Sequence, residues 1–215
     1  MKTDTNRELK IFRGNDGKTL FLSFAINNKK INEYSFAHVI LNLLPEKSNL
    51  FVGNSISIRA LDSFCDKSLK KDINIFSNRG ASGIDGNIST ALGISSITKN
   101  NNYLIIGDQS FMHDLGSLQM INELKINLKI FIMNNQGGSI FDLINLKENI
   151  DSYHYEKFIK RKHSQNFKNL SKAFSINYSN IDSIKELQMV DMMKPEICEV
   201  LIDSQDSIDF IRNFK

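Results

Sequence analysis

The chain has 215 residues, 41% of them apolar, which is enough for one domain with a substantial core. Its net charge of +3 is far below the clustered basic excess of a nucleic-acid-binding protein, so no nucleic-acid partner is expected. No apolar run approaches the roughly 20 residues that span a bilayer. Cys65 and Cys198 match no metal-binding spacing, and we expect reduced thiols in a cytoplasmic protein, although one bridge between them would also be compatible.

In chain order, apolar runs of strand length alternate with segments of helical periodicity. Residues 1–33 are polar and weakly patterned, so we expect a leader or linker remnant there and one domain over residues 34–215. The predicted strands are residues 49–54, 73–77, 103–107, 128–133 and 196–202. The predicted helices are residues 55–64, 83–94, 110–124, 139–144, 167–174 and 181–190. The alternation indicates right-handed βαβ units, and hence an α/β fold with a parallel sheet and helices on both faces.

Polar and glycine-rich segments follow four of the predicted strands: GNS, SNRG, GDQS and NNQGG. Ligands of such sheets bind outside the carboxyl ends of the strands, where these segments should gather. Asp108 and Asn135 would there offer a carboxylate and an amide oxygen, which together with a backbone carbonyl suit Mg²⁺. The glycines, and a helix beginning near Ser110, would bring backbone amides close to a phosphate. The pattern predicts a diphosphate held through Mg²⁺. The Gly-Asp pair or the Asn-Asn pair alone would be interpreted as an ordinary turn.

Gly-Asp followed by Asn-Asn resembles the fingerprint of thiamine diphosphate enzymes, although Gln109 stands where many members have a third glycine. Four longer segments, LFVGNSISIRALDSF, SNRGASGIDGNISTALG, GDQSFMHDL and NNQGGSIF, resemble one branch of them from about residue 34 onward. That branch is the 2-succinyl-5-enolpyruvyl-6-hydroxy-3-cyclohexene-1-carboxylate synthases, the MenD-type carboligases of menaquinone biosynthesis. The resemblance implies a thiamine diphosphate-binding domain of the PP type, with Mg²⁺ bound by Asp108, the Asn135 side chain and the Gly137 carbonyl.

The resemblance also implies a role for the glycine-rich turn SNRGASGIDG, which would lie against the aminopyrimidine ring of the cofactor. Ile84 would be the aliphatic wedge that bends the cofactor, with packing in a helix core as the alternative. Ser55, which also stands at a possible helix N-cap, is a further cofactor candidate, and Asp85 is interpreted as a structural cap. The complete set of expected cofactor-binding residues is Ser55, Ser82, Gly83, Ile84, Gly107, Asp108, Ser110, Asn135 and Gly138.

Arg59 and Arg79 match arginines that the resembled family uses for its carboxylate substrates, 2-oxoglutarate and isochorismate. Guanidinium groups bind carboxylates through two parallel hydrogen bonds, which fits this role. Surface salt bridges are the alternative. Ile140, Phe141 and Ile144 would form the apolar wall of the substrate pocket, or else pack in the core.

Enzymes of this superfamily activate the cofactor with a glutamate from a separate pyrimidine-binding domain, which no segment of this chain resembles. We therefore expect no catalytic residue in this chain, and a homo- or hetero-oligomer in which another chain supplies that domain. The chain would be a subunit of a split enzyme or a truncated gene product. An acetolactate-synthase-like or decarboxylase-like subunit and an inert remnant remain as alternatives.

Overall fold

A computed structural model describes residues 31–65 and 70–214, and its central feature is a parallel sheet. The strands are β1 (Ser48–Val52), β2 (Ile73–Phe76), β3 (Asn101–Gly107), β4 (Leu128–Asn134), β5 (Tyr178–Ile181) and β6 (Ile197–Leu201). They pair in the order β2-β1-β3-β4-β6-β5, and every pairing is parallel. This confirms the α/β fold with a parallel sheet that the sequence predicts.

The connections between the strands are mostly helical. The helices are α1 (Glu33–Leu43), α2 (Ile56–Phe64), α3 (Asn87–Ser96), α4 (Asp108–Met112), α5 (Gln119–Glu123), α6 (Ser152–His154), α7 (Phe167–Ala173), α8 (Ile184–Gln188) and α9 (Ser204–Phe214). Short 3₁₀ segments occupy Leu115–Leu118, Ser139–Leu143 and Asn145–Glu148, and a π-helical turn follows α6 at Tyr155–Ile159. None of the described helices is both long and apolar enough to cross a membrane.

Two hydrophobic clusters cover the two faces of the sheet, because successive strand side chains point to opposite sides. Leu50 and Val52 of β1 pack with residues of α1, α2, α8 and α9, whereas Phe51 between them packs with α3 and α4. In β3, Tyr103 packs in the same cluster as Leu50, and Leu104 packs in the same cluster as Phe51. The helices therefore lie on both faces, as predicted, and the carboxyl ends of the strands stay open at one edge.

The described part of the chain begins with residues that the sequence assigns to the leader. Ile31, Asn32 and Glu33 are buried, and Asn32 caps α1 by accepting hydrogen bonds from the amides of Tyr34 and Ser35. The Ser35 hydroxyl lies 3.1 Å from the Asn32 amide and completes a capping box. The rest of the predicted leader, residues 1–30, lies outside the described residues.

Three local expectations are wrong in detail. The single helix predicted over residues 110–124 is divided into α4, a 3₁₀ turn and α5, because the backbone leaves the helical conformation at Asp114, whose φ is −131°. The Asp114 side chain accepts the amide of Ser89 at the start of α3. Ser55 precedes α2 but makes no capping hydrogen bond. The residue before α3 is Gly86, with φ of 68°, so Asp85 does not cap that helix.

Cys65 and Cys198 are not joined by a disulfide, in agreement with the expected reduced thiols. Cys198 lies in β6, and burial raises the pKa of its thiol to about 11, so it remains protonated at neutral pH. The sequence missed β5, because its four residues are mostly half-exposed and carry no apolar run. It also missed α9.

Candidate functional site

The loops at the carboxyl ends of β1, β2, β3 and β4 are tied together by side-chain hydrogen bonds. Asn54 Nδ2, after β1, donates to the Gly83 carbonyl at 2.7 Å. Ser110 Oγ, after β3, donates to the Ile84 carbonyl at 2.6 Å. The amide of Gly137, after β4, donates to Asp108 Oδ2 at 2.9 Å. The structure thus brings together the four segments that the sequence places at one edge.

Asp108 is buried at the start of α4, and both of its carboxylate oxygens accept hydrogen bonds. Oδ1 accepts from the amide of Gln109 at 2.6 Å, and Oδ2 accepts from Gly137 and from His163 Nε2, which lies at 3.0 Å. Because His163 Nδ1 accepts from the amide of Gln165, its proton is on Nε2. Because Oδ1 accepts one hydrogen bond among the described residues, from Gln109, it keeps lone-pair capacity for a further ligand.

Asn135 presents a free oxygen in the same region. Its Nδ2 donates to Glu33 Oε1 at 2.9 Å, whereas its Oδ1 is buried and has no hydrogen-bond partner within the described residues. A buried carbonyl left unpaired costs about 1–3 kcal/mol. A cation at Oδ1 would remove that cost, so the observed orphan oxygen fits the predicted metal ligand.

The Gly137 carbonyl accepts one hydrogen bond, from the Ser139 amide at 3.0 Å, and retains a second lone pair. With Asp108 and Asn135 it makes a set of oxygen donors that suits Mg²⁺. No group of three His, Cys, Asp or Glu residues with metal-binding geometry exists among the described residues. The expected ligand set contains only one carboxylate, so it would not form such a group.

Two residues expected to bind the cofactor each have a group that is already hydrogen-bonded within the protein. The Gly138 amide donates to the Lys160 carbonyl at 2.6 Å. The Ser110 hydroxyl, besides donating to Ile84, accepts from Asn87 Nδ2 at 2.9 Å. The Gly138 amide and the Ser110 hydroxyl therefore hold loops in place in this arrangement, whereas the sequence offers the backbone amide of Ser110 to a phosphate, and the cofactor role of both residues stays a prediction.

The glycine-rich turn places its predicted cofactor residues at the surface of the site. Ile84 is 42% exposed and lies before α3, which rules out the alternative that it packs in a helix core. Ser82 is exposed, and its hydroxyl donates back to the Arg79 carbonyl at 3.2 Å. Ser55 has φ of 73°, a strained value for a non-glycine residue, and its hydroxyl makes no capping bond.

The two predicted substrate arginines converge on adjacent residues. Arg59 Nη1 donates to the Ser55 carbonyl at 2.7 Å, and Arg79 Nη1 lies 3.4 Å from Asn54 Oδ1. Both side chains are exposed, and neither forms a salt bridge within residues 31–65 and 70–214. The alternative that they are surface ion pairs therefore has no support in the described structure.

The predicted apolar wall divides into two parts. Phe141 and Ile144 are 38% and 52% exposed, so they are available to a ligand. Ile140 is half-buried and packs against the cluster on the α1 side of the sheet. For Ile140 the core-packing alternative describes the observed environment.

The segment after the apolar wall is held down by a buried carboxylate. Asp142 accepts hydrogen bonds from Tyr155 and from the ammonium groups of Lys147 and Lys160. Burial opposes its ionisation, but these three hydrogen bonds outweigh burial and lower the pKa of Asp142. The ionised form therefore fixes residues 142–160, which include the Lys160 carbonyl beside Gly137 and Gly138.

This lowered pKa predicts an acid-sensitive contribution to stability. A carboxyl whose pKa is depressed by folding stabilises the protein above its unfolded pKa, and this contribution is lost as the pH falls through the folded pKa. We expect Asp142→Asn to be less stable than wild type at pH 7, and the difference to shrink below about pH 4. Urea unfolding of both proteins between pH 7 and pH 2.5 measures it, and a difference that does not change with pH would contradict the assignment.

Sequence reasoning missed four residues that shape the site: Glu33, Asn54, Asn87 and His163. Asn54 and Asn87 both donate to the Gly83 carbonyl, at 2.7 and 3.4 Å, and fix the glycine-rich turn. Glu33 and His163 contact the expected metal ligands Asn135 and Asp108. Burial raises the pKa of Glu33, an effect that hydrogen bonds from Ser207 and Asn135 partly offset. No pattern in the sequence marks these four contacts, because only the tertiary structure shows the partners of these side chains.

Comparison with known proteins defines the class of this domain. The family model for the thiamine pyrophosphate enzyme C-terminal TPP-binding domain matches residues 67–196. The chain belongs to this family, and thiamine diphosphate is the cofactor that the family binds.

Three similar relatives of this chain are synthases with the same name. The chain is 37% identical over 148 residues to the 2-succinyl-5-enolpyruvyl-6-hydroxy-3-cyclohexene-1-carboxylate synthase of Lysinibacillus sphaericus, covering 69% of this chain and 25% of the relative. The synthases of Listeria monocytogenes and Prochlorococcus marinus are 34% identical over 171 residues and 33% identical over 187 residues. Those matches cover 80% and 85% of this chain, and 29% and 31% of the relatives. The domain is thus of the type found in these synthases, and it spans between a quarter and a third of their length.

Proposed function

We propose that this chain is the thiamine diphosphate- and Mg²⁺-binding part of a carboligase of menaquinone biosynthesis. That enzyme would decarboxylate 2-oxoglutarate and add the remaining four-carbon unit to isochorismate. The observation that carries the proposal is the buried Oδ1 of Asn135, which has no hydrogen-bond partner among the described residues and lies two positions before Gly137, whose amide donates to Asp108. The similarity to synthases of this name supports the choice of substrates.

Each part of the edge has a separate task in this proposal. When bound, thiamine diphosphate supplies the electron sink for decarboxylation of a 2-oxo acid. Asp108, Asn135 and the Gly137 carbonyl would hold Mg²⁺, which in turn would hold the diphosphate. The exposed Ile84 and the backbone at Ser82 and Gly83 would contact the aminopyrimidine ring.

Substrate recognition is proposed for the two arginines and the exposed apolar side chains. The guanidinium groups of Arg59 and Arg79 reach adjacent residues and have no carboxylate partner in the described structure. They are therefore available for substrate carboxylates. A small 2-oxo acid without a further charged group has only one carboxylate and would not need two arginines. This favours the proposed substrates over those of an acetolactate-synthase-like subunit. Phe141 and Ile144 would exclude water from the pocket.

We further propose that another chain supplies a pyrimidine-binding domain, within a homo- or hetero-oligomer in the cytoplasm. The edge strand β2 supports this, because Ile75 and Phe76 are 52% and 37% exposed there, close in sequence to the glycine-rich turn. Exposed apolar side chains on a sheet edge are typical of a surface that another domain covers. An inert remnant would have the same fold but would not bind cofactor.

The experiment that tests the proposal is calorimetric titration of the purified chain with thiamine diphosphate, in Mg²⁺ and in EDTA. We expect weak binding that requires Mg²⁺ and is abolished in Asp108→Ala, because the only carboxylate of the ligand set is removed. Asp108→Asn serves as a second variant, since it keeps the side-chain shape while removing the charge. Glu123→Ala, an exposed residue of α5, is the control. Equal binding by wild type and both Asp108 variants would refute the metal site.

A further inference from the structure

Two consecutive asparagines end β4 and begin the next loop, and a buried glutamate holds each of them. Asn134 Nδ2 donates to Glu199 Oε1 at 2.6 Å, and Asn135 Nδ2 donates to Glu33 Oε1 at 2.9 Å. Glu199 belongs to the neighbouring strand β6, so its contact is part of the sheet. Glu33 comes from the first turn of α1, which reaches the strand edge from one face of the sheet. The contact between Asn135 and Glu33 therefore joins two separate elements at the proposed metal site.

This contact decides which end of the Asn135 amide faces the metal site. An amide has a donor end and an acceptor end, and its orientation follows from its partners. In this structure Glu33 Oε1 accepts from Asn135 and Oε2 accepts from Ser207, so Nδ2 is the end of the amide that faces Glu33. Oδ1 must then point the other way, where it is buried and has no partner within the described residues.

Glu33 is itself held in place on both sides. The hydroxyl of Ser207, in α9, donates to its second carboxyl oxygen. Its backbone lies in the helical turn that the Asn32 capping box closes. Because Glu33 is only 1% exposed, water does not compete for the hydrogen bond to Asn135. Residue 33 lies outside the 67–196 range that the family model matches.

We propose that Glu33 is a positioning residue, which orients Asn135 so that its side-chain oxygen faces the metal ion. The proposal rests on the proposed function, in which Asn135 is a Mg²⁺ ligand. Partners of metal ligands typically act in this way, and removing one typically weakens metal affinity by about 10–100-fold. Without Glu33 the amide is free to rotate and to present its NH₂ group, which cannot bind a cation.

The test measures Mn²⁺ binding to the complete chain by electron paramagnetic resonance of the free ion, with Mn²⁺ alone as the probe. Mn²⁺ prefers the same oxygen ligands as Mg²⁺. We expect Glu33→Leu to weaken Mn²⁺ binding by about 10–100-fold. Glu33→Gln keeps an oxygen that can accept from Asn135, so it should retain most of the affinity.

Two controls separate positioning from a loss of stability. Ser207→Ala removes the other partner of Glu33 and leaves the bond to Asn135, so its loss of Mn²⁺ affinity should be clearly smaller than that of Glu33→Leu. Glu196→Leu removes a buried carboxylate in another part of the sheet, and it should lower the melting temperature in EDTA without weakening Mn²⁺ binding to the folded protein.

The outcomes distinguish this inference from the proposed function. Wild-type affinity in Glu33→Leu, or equal losses in Glu33→Leu and Glu33→Gln, would overturn the positioning role while the metal site stands. Absence of Asp108-dependent Mn²⁺ binding in wild type would overturn both proposals. If Glu33→Leu does not fold, hydrogen exchange of the Asn135 NH₂ protons in the wild type replaces this variant as the test. The signals of these protons are assigned by their loss in Asn135→Asp, and we expect them to be protected from exchange with solvent. Rapid exchange of these protons with solvent would overturn the positioning role.

Discussion

Glu196→Leu is expected to lower the free energy of unfolding by about 3–5 kcal/mol. The Glu196 carboxylate lies 2.7 Å from the ammonium group of Lys129 in β4, and both side chains are buried. Removing the carboxylate leaves a buried cation whose other hydrogen-bond partner among the described residues is the Cys198 sulfur, at 3.8 Å. An unpaired charge in the sheet interior has no water to stabilise it, and this is why the loss is large.

Urea unfolding at pH 7 measures this loss, and the melting temperature should fall by roughly 6–20 °C in a domain of this size. The control is the double variant Lys129→Met/Glu196→Leu, in which no charge remains buried. It should recover most of the lost stability, because apolar side chains of similar size replace a buried ion pair at little cost. A double variant as unstable as Glu196→Leu alone would show that the pair contributes through its geometry and not through charge compensation.

Gly137→Ala is expected to destabilise the chain by about 3 kcal/mol or more, and to disrupt the loop of the proposed metal site. Gly137 has φ of 140°, a backbone conformation that L-residues rarely adopt. A Cβ atom there would also lie 2.5 Å from the Lys160 carbonyl oxygen. That oxygen is backbone and already accepts the Gly138 amide, so it cannot move aside without breaking a second contact.

The matched control is Gly93→Ala, on the exposed face of α3. A Cβ atom at Gly93 would meet nothing within 4 Å, so this change should stabilise the chain by about 0.5–1 kcal/mol. Thermal unfolding of both variants in EDTA measures folding without any contribution from a metal ion. A melting temperature of Gly137→Ala equal to that of wild type would contradict the close contact between Gly137 and the Lys160 carbonyl.

Much of the fold was predictable from the sequence because its signals are local. The runs containing Leu50, Leu104 and Ile132 are short, apolar and bounded by polar or glycine residues, and they form β1, β3 and β4. β5 was not predictable in this way, since Tyr178 to Ile181 gain their strand conformation by pairing with β6 at the sheet edge. The division of the helix after Asp108 was not predictable either, since the backbone leaves the helical conformation at Asp114 and apolar periodicity does not reveal this.

The sequence by itself determined the class of fold and the edge at which the polar segments gather, because strand length, periodicity and strand-end residues are properties of neighbouring positions. Only the tertiary structure decided which atoms there are free: Asn135 Oδ1 has no hydrogen-bond partner in the part of the chain that the structure describes, whereas the Gly138 amide donates to Lys160. It also decided that Glu33 and His163, 102 and 55 positions from their partners, hold the two expected metal-binding side chains. Hydrogen bonds between residues so far apart form only when packing brings their elements together, so no local pattern in the sequence predicts them.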